Sequence, residues 1–510
     1  MYSIVKSGAI HGIDGMMIDV EADVSDGLPL FMLVGLLSSE VREAAERVKN
    51  AIRNSGFRLN AKHVTINLSP ADVKKSGTAF DLAIAMAVMC GYGYVLPEQL
   101  EGVLFLGELG LDGDVKPVKG VLPIVDEAKK NGIRLVIVPL ENLSEAKLVE
   151  GIECLGVKSY KELMEHFLND GGLYTEYENE NMISFTKEHD LKDIKGQKTL
   201  RRALEIAVAG MHNILIGGPP GAGKSLIAKC IPGIMPELTY AESMELTKIY
   251  STVGMSENGS LIRRRPFRSP HSTISAQALV GGGRIPKPGE VTLAHRGVLF
   301  LDEFPEFTKH VIEMLRQPME DRKTTVSRVD QTLTFPSDFM LVAAMNLCPC
   351  GYFPDRNRCR CTERDRLRYI GKISQPIMDR IDIQVMVEPV GFDDICSNEE
   401  GEGSEVVRER IKKALDHQSE RYMNEGLMFN SRLEGKRLFE VCKLDDEGNA
   451  LLRSAGERLG LSARGAYRVL RVARTIADLA ESEDIRVSHL TEAIGYRDVI
   501  SGIVYEGGEL

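Results

Sequence analysis

The chain has 510 residues, 43% hydrophobic and 27% charged, with a net charge of −11. That composition is ordinary for a globular protein, and the length allows about two to four domains. There is no apolar run of membrane-spanning length and no signal-peptide pattern at Met1–Lys6, so a cytoplasmic protein is expected; the acidic balance means that any nucleic-acid contact has to come from a local basic patch.

Residues 1–168 read as one α+β unit. Met16–Val24 and His63–Leu68 alternate like half-buried strands. Ser38–Gly56 has helical periodicity with Ser38 or Ser39 as N-cap, and Phe80–Met89 reads as a buried helix. Val103–Leu106 and Ile133–Val138 read as further strands. Residues 169–187 are polar, acidic and poor in core residues, which reads as a linker, and a second acidic linker covers 396–404.

Between the linkers, residues 188–395 carry the chemistry. Asn213–Ile216 is a short apolar strand, and Leu226–Cys230 suits the first turns of a helix. The run joining them is Gly218, Pro219, Pro220, Gly221, Ala222, Gly223, Lys224, Ser225, a Walker A pattern in the strand–loop–helix context it requires. Its glycines let backbone N–H groups close around phosphate oxygens, Lys224 is expected at the β/γ-phosphates, and Ser225 is expected to ligate Mg²⁺. Val298–Leu301 reads as a buried strand ending in Asp302 and Glu303, a Walker B pattern. Asp302 is expected to hold Mg²⁺ and Glu303 to polarise the attacking water.

Five of the nine cysteines, Cys90, Cys154, Cys230, Cys396 and Cys442, are scattered. The other four form two C-x-C pairs, Cys348 with Cys350 and Cys359 with Cys361. They are either a tetrahedral Zn²⁺ site or a set of reduced thiols in a loop. After the second linker, residues 405–510 read as helices at Glu405–Glu425, Arg432–Cys442, Gly448–Leu459, Ser462–Ala480 and Val487–Asp498.

The segment Gly281–Glu303, with Pro266–His271 upstream of it, resembles the signature of magnesium-chelatase-like AAA+ ATPases of the YifB/ComM type. The resemblance implies an α/β AAA+ P-loop core with a helical lid, homo-oligomeric and hexameric rings, ATP and Mg²⁺ as cofactors, single-stranded or branched DNA as partner, and translocation on it with helicase or branch-migration activity. It implies that Asn346 is sensor 1, that Arg380 in Asp379–Asp382 is an arginine finger acting on a neighbouring subunit, and that Arg464 in Ser462–Arg464 contacts nucleotide. Arg468 and Arg471 share a helix face with Arg464 and are either part of that site or solvated. Asp190–Gln197 resembles the segment that borders adenine. Met319–Phe335 fits the hairpin that precedes sensor 1, with Arg322, Lys323 and Arg328 as DNA-binding candidates, and Met255–Pro288 covers the helix-2 insert region, with Arg263–Arg265, Arg268, Arg284 and Lys287. Charge runs are also the ordinary make-up of a solvated face.

Residues 1–168 resemble the α+β proteolytic domain of Lon, a ribosomal protein S5-like fold, through Gly107–Leu122 and Ile133–Asn142. The positions of Lon's Ser and Lys are occupied here by Ala79 and Leu122, and Ser76 and Lys119 are out of register. The resemblance therefore implies the fold without peptidase activity. A motor that remodels a partner protein, as a chelatase subunit does, is the alternative to a DNA motor.

Overall fold

The computed structural model describes residues 1–177, 189–256, 259–283, 286–327, 332–355, 357–388, 401–423 and 429–497. The chain divides into two units, Met1–Ser184 with Thr239–Arg263 and Phe185–Leu238 with Arg264–Leu510. Arg284, Arg328, Cys396 and most of both acidic linkers lie outside the described residues.

The first unit is built on a seven-stranded mixed sheet whose order is Leu30–Val34, His63–Ser69, Asp14–Ser25, Tyr2–His11, Val103–Phe105, Leu135–Pro139, Glu153–Val157. The central strand Tyr2–His11 inverts the usual pattern. Ser3, Val5, Ser7 and Ala9 face inward while Tyr2 and Ile4 are exposed. The two inward serines are tolerated because each hydroxyl finds a carbonyl, Ser3 on Ala87 (2.8 Å) and Ser7 on Phe105 (2.9 Å). Helix Asp81–Gly91 is apolar all round after its first residue, Asp81, which pairs with Arg47 (2.7 Å), and every one of its residues is buried.

Ala79 and Leu122 pack into one apolar cluster of this unit. Over the same region lies helix Tyr240–Val253, which comes from the middle of the chain and places Met244 against that cluster. Lys248 pairs with Asp126 (2.6 Å), the Ser251 hydroxyl donates to the buried Glu145 carboxylate, and Lys119 donates to the helix's terminal carbonyl at Val253 (3.3 Å). Burial raises the Glu145 carboxyl, against the lowering effect of Ser251, the Leu122 N–H and Asn142.

The second unit is an α/β structure. Five parallel strands run in the order Phe267–Arg268, Val298–Leu301, Met340–Met345, Ile214–Gly217, Ile383–Met386. Their continuous apolar runs are those of strands covered on both faces. Ile214, Ile216, Val298, Phe300, Val342 and Ala344 enter one core, shared with helix Lys198–Gly210 and the C-terminal helices. The alternate residues Leu215, Leu299, Leu301, Leu341, Ala343 and Met345 enter another, beneath Leu347, Cys348 and Phe353. The C-terminal helices are Ser404–Tyr422, Gly435–Val441, Asp446–Leu459, Ala463–Leu479 and Val487–Gly495. Among the described residues no helix is long and apolar enough to cross a membrane.

The amino ends of the central strands are tied together by side chains. The Asn213 Oδ1 accepts from the Leu341 N–H (2.9 Å), its amide donates to the Arg380 carbonyl (3.1 Å), and its own N–H donates to Asp382 (3.0 Å). Asp382 is fully buried and ion-pairs with Arg468, with His212 Nδ1 at 3.7 Å. Burial alone would raise its carboxyl, but Arg468 and His212 hold it well below the usual carboxylate range. Asp382→Asn leaves the half-buried Arg468 without its counter-charge, so the second unit is expected to lose about 2–3 kcal/mol in thermal or denaturant unfolding, less than a fully buried pair would cost. The lowered pKa also gives a sign for pH. The stability that Asp382 supplies is present above its unfolded value of 3.8 and is lost as pH falls below it.

Candidate active site

Three chain segments leave the carboxyl ends of adjacent parallel strands together, the position where open α/β sheets bind ligands. Gly218 follows Gly217, Asp302 follows Leu301 and Asn346 follows Met345. The loop is shaped for close backbone approach. Gly221 and Gly223 have φ of 80° and 83°, and a Cβ at Gly218 would lie 2.5 Å from the Val387 carbonyl. Helix Lys224–Ala228 begins at the end of this loop.

Lys224 Nζ donates to the carbonyls of Gly218 (2.6 Å) and Pro219 (2.8 Å) and to Asn346 Oδ1 (3.1 Å). Burial pushes its pKa down to about 8, against the opposing pull of Asp302 and Glu303. Among the described residues the ammonium rests on neutral acceptors and forms no ion pair, which suits exchange for phosphate oxygens. Ser225 Oγ donates to Asp302 Oδ2, so the two candidate Mg²⁺ ligands already touch. Hard oxygen donors of this kind suit Mg²⁺. Glu303 is exposed and holds a left-handed backbone, φ 51°, with its N–H on Asp302 Oδ1 (2.9 Å). A non-glycine residue in that conformation is strained by about 1 kcal/mol, a cost that recurs at functional turns. Gln197 reaches the loop's far side, donating to the Glu388 carbonyl (2.7 Å) and the Ala222 carbonyl (3.4 Å).

Sequence comparisons show the family. Family models for the magnesium chelatase subunit ChlI match residues 190–395 and 20–142, and the model for the ChlI C-terminal region matches 401–497. YifB of Escherichia coli (strain K12) is 40% identical over 499 residues, covering 98% of this chain and 97% of that protein. Competence protein ComM of Haemophilus influenzae is 39% identical over 504 residues, covering 98% of each. The chain belongs to the YifB/ComM family of magnesium-chelatase-like AAA+ ATPases. Lon protease 2 of Bacillus subtilis is 26% identical over 183 residues, 32% of this chain and 33% of that protein, in keeping with a Lon-like unit. As a member of this AAA+ family the chain is an ATPase that works with ATP and Mg²⁺. Lys224→Ala removes the one cation in the loop, and a charge-assisted hydrogen bond of about 1.5–3 kcal/mol with it. Nucleotide affinity is expected to fall about 10- to 100-fold in a fluorescent-nucleotide titration.

The arginines of this family member lie elsewhere. Arg380, Arg464, Arg468, Arg471, Arg432 and Arg322 line one cavity of about 130 Å³ with Asn213 and Asp382, at the amino ends of the strands. Lys224 is at their carboxyl ends, roughly 15 Å away along strand Ile214–Gly217 at about 3.3 Å per residue. Arg380 is buried, donating to the Pro376 carbonyl (2.7 Å) and to Glu320. Arg464 is exposed and lies 3.7 Å from the same Glu320. Glu320 thus holds both arginines that the family resemblance assigns to nucleotide. The hydrogen bond from Arg380 is the main cause of its lowered carboxyl pKa. Among the described residues, the buried Nε atoms of Arg322, Arg380 and Arg471 have no hydrogen-bond partner. No sequence pattern marks Glu320, because its partner Arg380 is brought to it only by folding.

The candidate DNA residues separate. Strands Lys323–Ser327 and Thr332–Pro336 form an antiparallel hairpin whose exposed face is Lys323, Thr325, Ser327, Thr332 and Thr334. Arg322 does not belong to that face, which corrects the expectation from sequence. It ends the preceding helix at φ 56° and turns into the arginine cavity, where burial, then Arg432, push it down to about 10. In the insert region Arg268 forms a two-pronged pair with Glu290 (2.7 and 2.8 Å), and Arg265 is buried on the carbonyls of Pro236 (2.7 Å) and Arg296 (2.8 Å). These two brace the fold rather than face a ligand, whereas Arg263 and Lys287 are exposed.

Proposed function

We propose that this ATPase assembles head to tail into a ring, hexameric by family resemblance, and couples Mg-ATP hydrolysis to movement on single-stranded or branched DNA. The observation that carries the reading is that the P-loop and the arginine cavity occupy opposite ends of the same strands. A chain so built cannot bring Arg380 to its own Lys224, whereas a neighbour in a heterologous contact can, and such contacts close into rings. In this reading Lys224 and the loop N–H groups orient the phosphates. Ser225 and Asp302 would hold Mg²⁺, which would supply neutralisation of charge on the phosphoryl oxygens. Glu303 takes the proton from the attacking water, Asn346 positions that water, and Arg380 with Arg464 of the adjoining protomer offset the transition-state charge.

The hairpin supports DNA as the track. Its exposed face offers one ammonium and four hydroxyls, donors that suit phosphate and read no base. The relative in Haemophilus influenzae carries the name competence protein. The Lon-like unit serves as a scaffold without peptidase chemistry, with Ala79 and Leu122 where a nucleophile and its base would stand. The test is the ATPase rate with and without single-stranded or forked DNA, where several-fold stimulation is expected. Lys323→Glu should weaken DNA binding roughly tenfold and flatten its salt dependence while leaving basal hydrolysis intact. A rate that ignores DNA but answers to a partner protein would instead establish the remodelling motor.

A further inference from the structure

Four cysteines lie at the carboxyl edge of the parallel sheet, outside the set of residues that hydrolysis uses. The Sγ atoms of Cys348, Cys350, Cys359 and Cys361 all lie within 4.8 Å of one another. Three of their separations are 3.3 Å (Cys348 to Cys350), 3.7 Å (Cys348 to Cys359) and 3.6 Å (Cys350 to Cys359). Four thiolates at about 2.3 Å from one Zn²⁺ stand about 3.8 Å apart at tetrahedral angles, so the sulfurs already occupy the corners of a single-ion site. A bridged iron–sulfur cluster holds its cysteine sulfurs further apart, because sulfides intervene. Backbone N–H groups point at the sulfurs as they do at metal-bound thiolates, Phe353 to Cys348 (3.4 Å) and Tyr352 to Cys350. Arginines flank the loop, Arg358 over the Tyr352 ring (4.1 Å) and Arg366 over the Phe353 ring (4.3 Å), with Arg366 also donating to the Cys361 carbonyl (3.2 Å).

The loop that these cysteines close is joined to the nucleotide site at two points. Asn346, two residues before Cys348, accepts from Lys224 (3.1 Å). Gly351, next to Cys350, lies so close to the P-loop that a Cβ there would come 3.1 Å from Pro220 Cδ, and its φ of 82° is itself a glycine conformation.

We infer that Cys348, Cys350, Cys359 and Cys361 bind one structural Zn²⁺ per chain, which clamps the loop carrying Asn346 and Gly351 against the P-loop and so sets nucleotide affinity. The clamping part rests on the nucleotide-site reading above, and the metal part does not. The experiment takes the full chain purified without chelator. Elemental analysis is expected to give about one zinc per chain, falling to near zero in Cys350→Ser/Cys359→Ser. Replacement by Co²⁺ is expected to give the visible and thiolate-to-metal bands of tetrahedral S₄ coordination. Stripping the metal with a thiol reagent and chelator should weaken ATP binding about tenfold, and Gly351→Ala should do the same with zinc still bound. Less than about 0.2 zinc per chain, iron in its place, or a Cys348–Cys350 disulfide in the purified protein would each overturn the site. Unchanged ATP affinity after stripping would overturn the clamp. Zinc at full occupancy in a chain that binds no ATP at all would fail the nucleotide-site reading instead, and Lys224→Ala, expected to keep its zinc while losing ATP, separates the two.

Discussion

Glu303→Gln is expected to bind ATP within about threefold of the parent chain and to turn it over about 10²- to 10⁴-fold more slowly, the span that a positioned general base supplies. The exchange removes the proton acceptor and nothing else of weight. Glutamine has the same length, and the contact that fixes this residue is its backbone N–H on Asp302 Oδ1 (2.9 Å), which the substitution leaves in place. Asp302 keeps its own contact with Ser225, so the Mg²⁺ ligands stay paired. Phosphate release under saturating Mg-ATP, beside a nucleotide titration, reads both quantities. A fall in affinity as large as the fall in rate would show that Glu303 holds nucleotide or metal and is not the base. Glu303→Gly gives a second, independent reading of the same residue. At φ 51° glycine carries no side-chain strain, so that variant is expected to be more stable by about 1 kcal/mol and equally inactive. A gain in stability bought with activity marks strain kept for function.

The nucleotide half of the site was legible because its chemistry is contiguous in sequence. A glycine loop between an apolar strand and a helix, and a strand that ends in two acids, carry their own context. The same holds for two strands of the second unit, whose short apolar runs at 213–216 and 298–301 are bounded by the motifs themselves and form the buried strands Ile214–Gly217 and Val298–Leu301 in the structure. Tyr2–His11 was not legible, since its inward residues include two serines and its outward ones Tyr2 and Ile4. No hydrophobic period betrays a strand whose inward face is half hydroxyl. Arg322 was misread for a related reason. A cation beside a hairpin looks solvated in sequence, and only the left-handed turn at its own Cα sends it inward. The docking of Tyr240–Val253 on the first unit is likewise a property of tertiary packing. The helix is polar enough to pass for a surface element, and its buried Ser251 and Glu242 are accounted for only by partners such as Glu145 and Thr239.

Arg380→Ala is expected to lower ATP hydrolysis about 10³-fold or more, the range associated with arginine fingers, without weakening nucleotide binding to the separate chain. The second half of that statement follows from position. Arg380 lies at the amino ends of the strands with Asn213 and Asp382, so its loss cannot disturb Lys224 directly. A mixing experiment distinguishes action on a neighbour from action within the chain. Arg380→Ala subunits keep an intact P-loop, and Lys224→Ala subunits keep an intact arginine. Each is expected to be inactive alone, and a mixture should regain activity wherever an intact loop meets an intact arginine across an interface. No recovery at any ratio, with mixed assemblies verified, would place the arginine's action inside its own chain and remove the argument for a ring. Glu320 refines the same test. It pairs with Arg380 and lies 3.7 Å from Arg464, so assembly has to exchange one carboxylate for the phosphates of a neighbouring nucleotide. Since that carboxylate holds the arginines only until the exchange, Glu320→Gln should keep turnover within about threefold while making hydrolysis reach its plateau at lower protein concentration. A Glu320→Gln variant as inactive as Arg380→Ala would mean that the pair is needed to aim the guanidinium, and that Arg380 works with Glu320 attached.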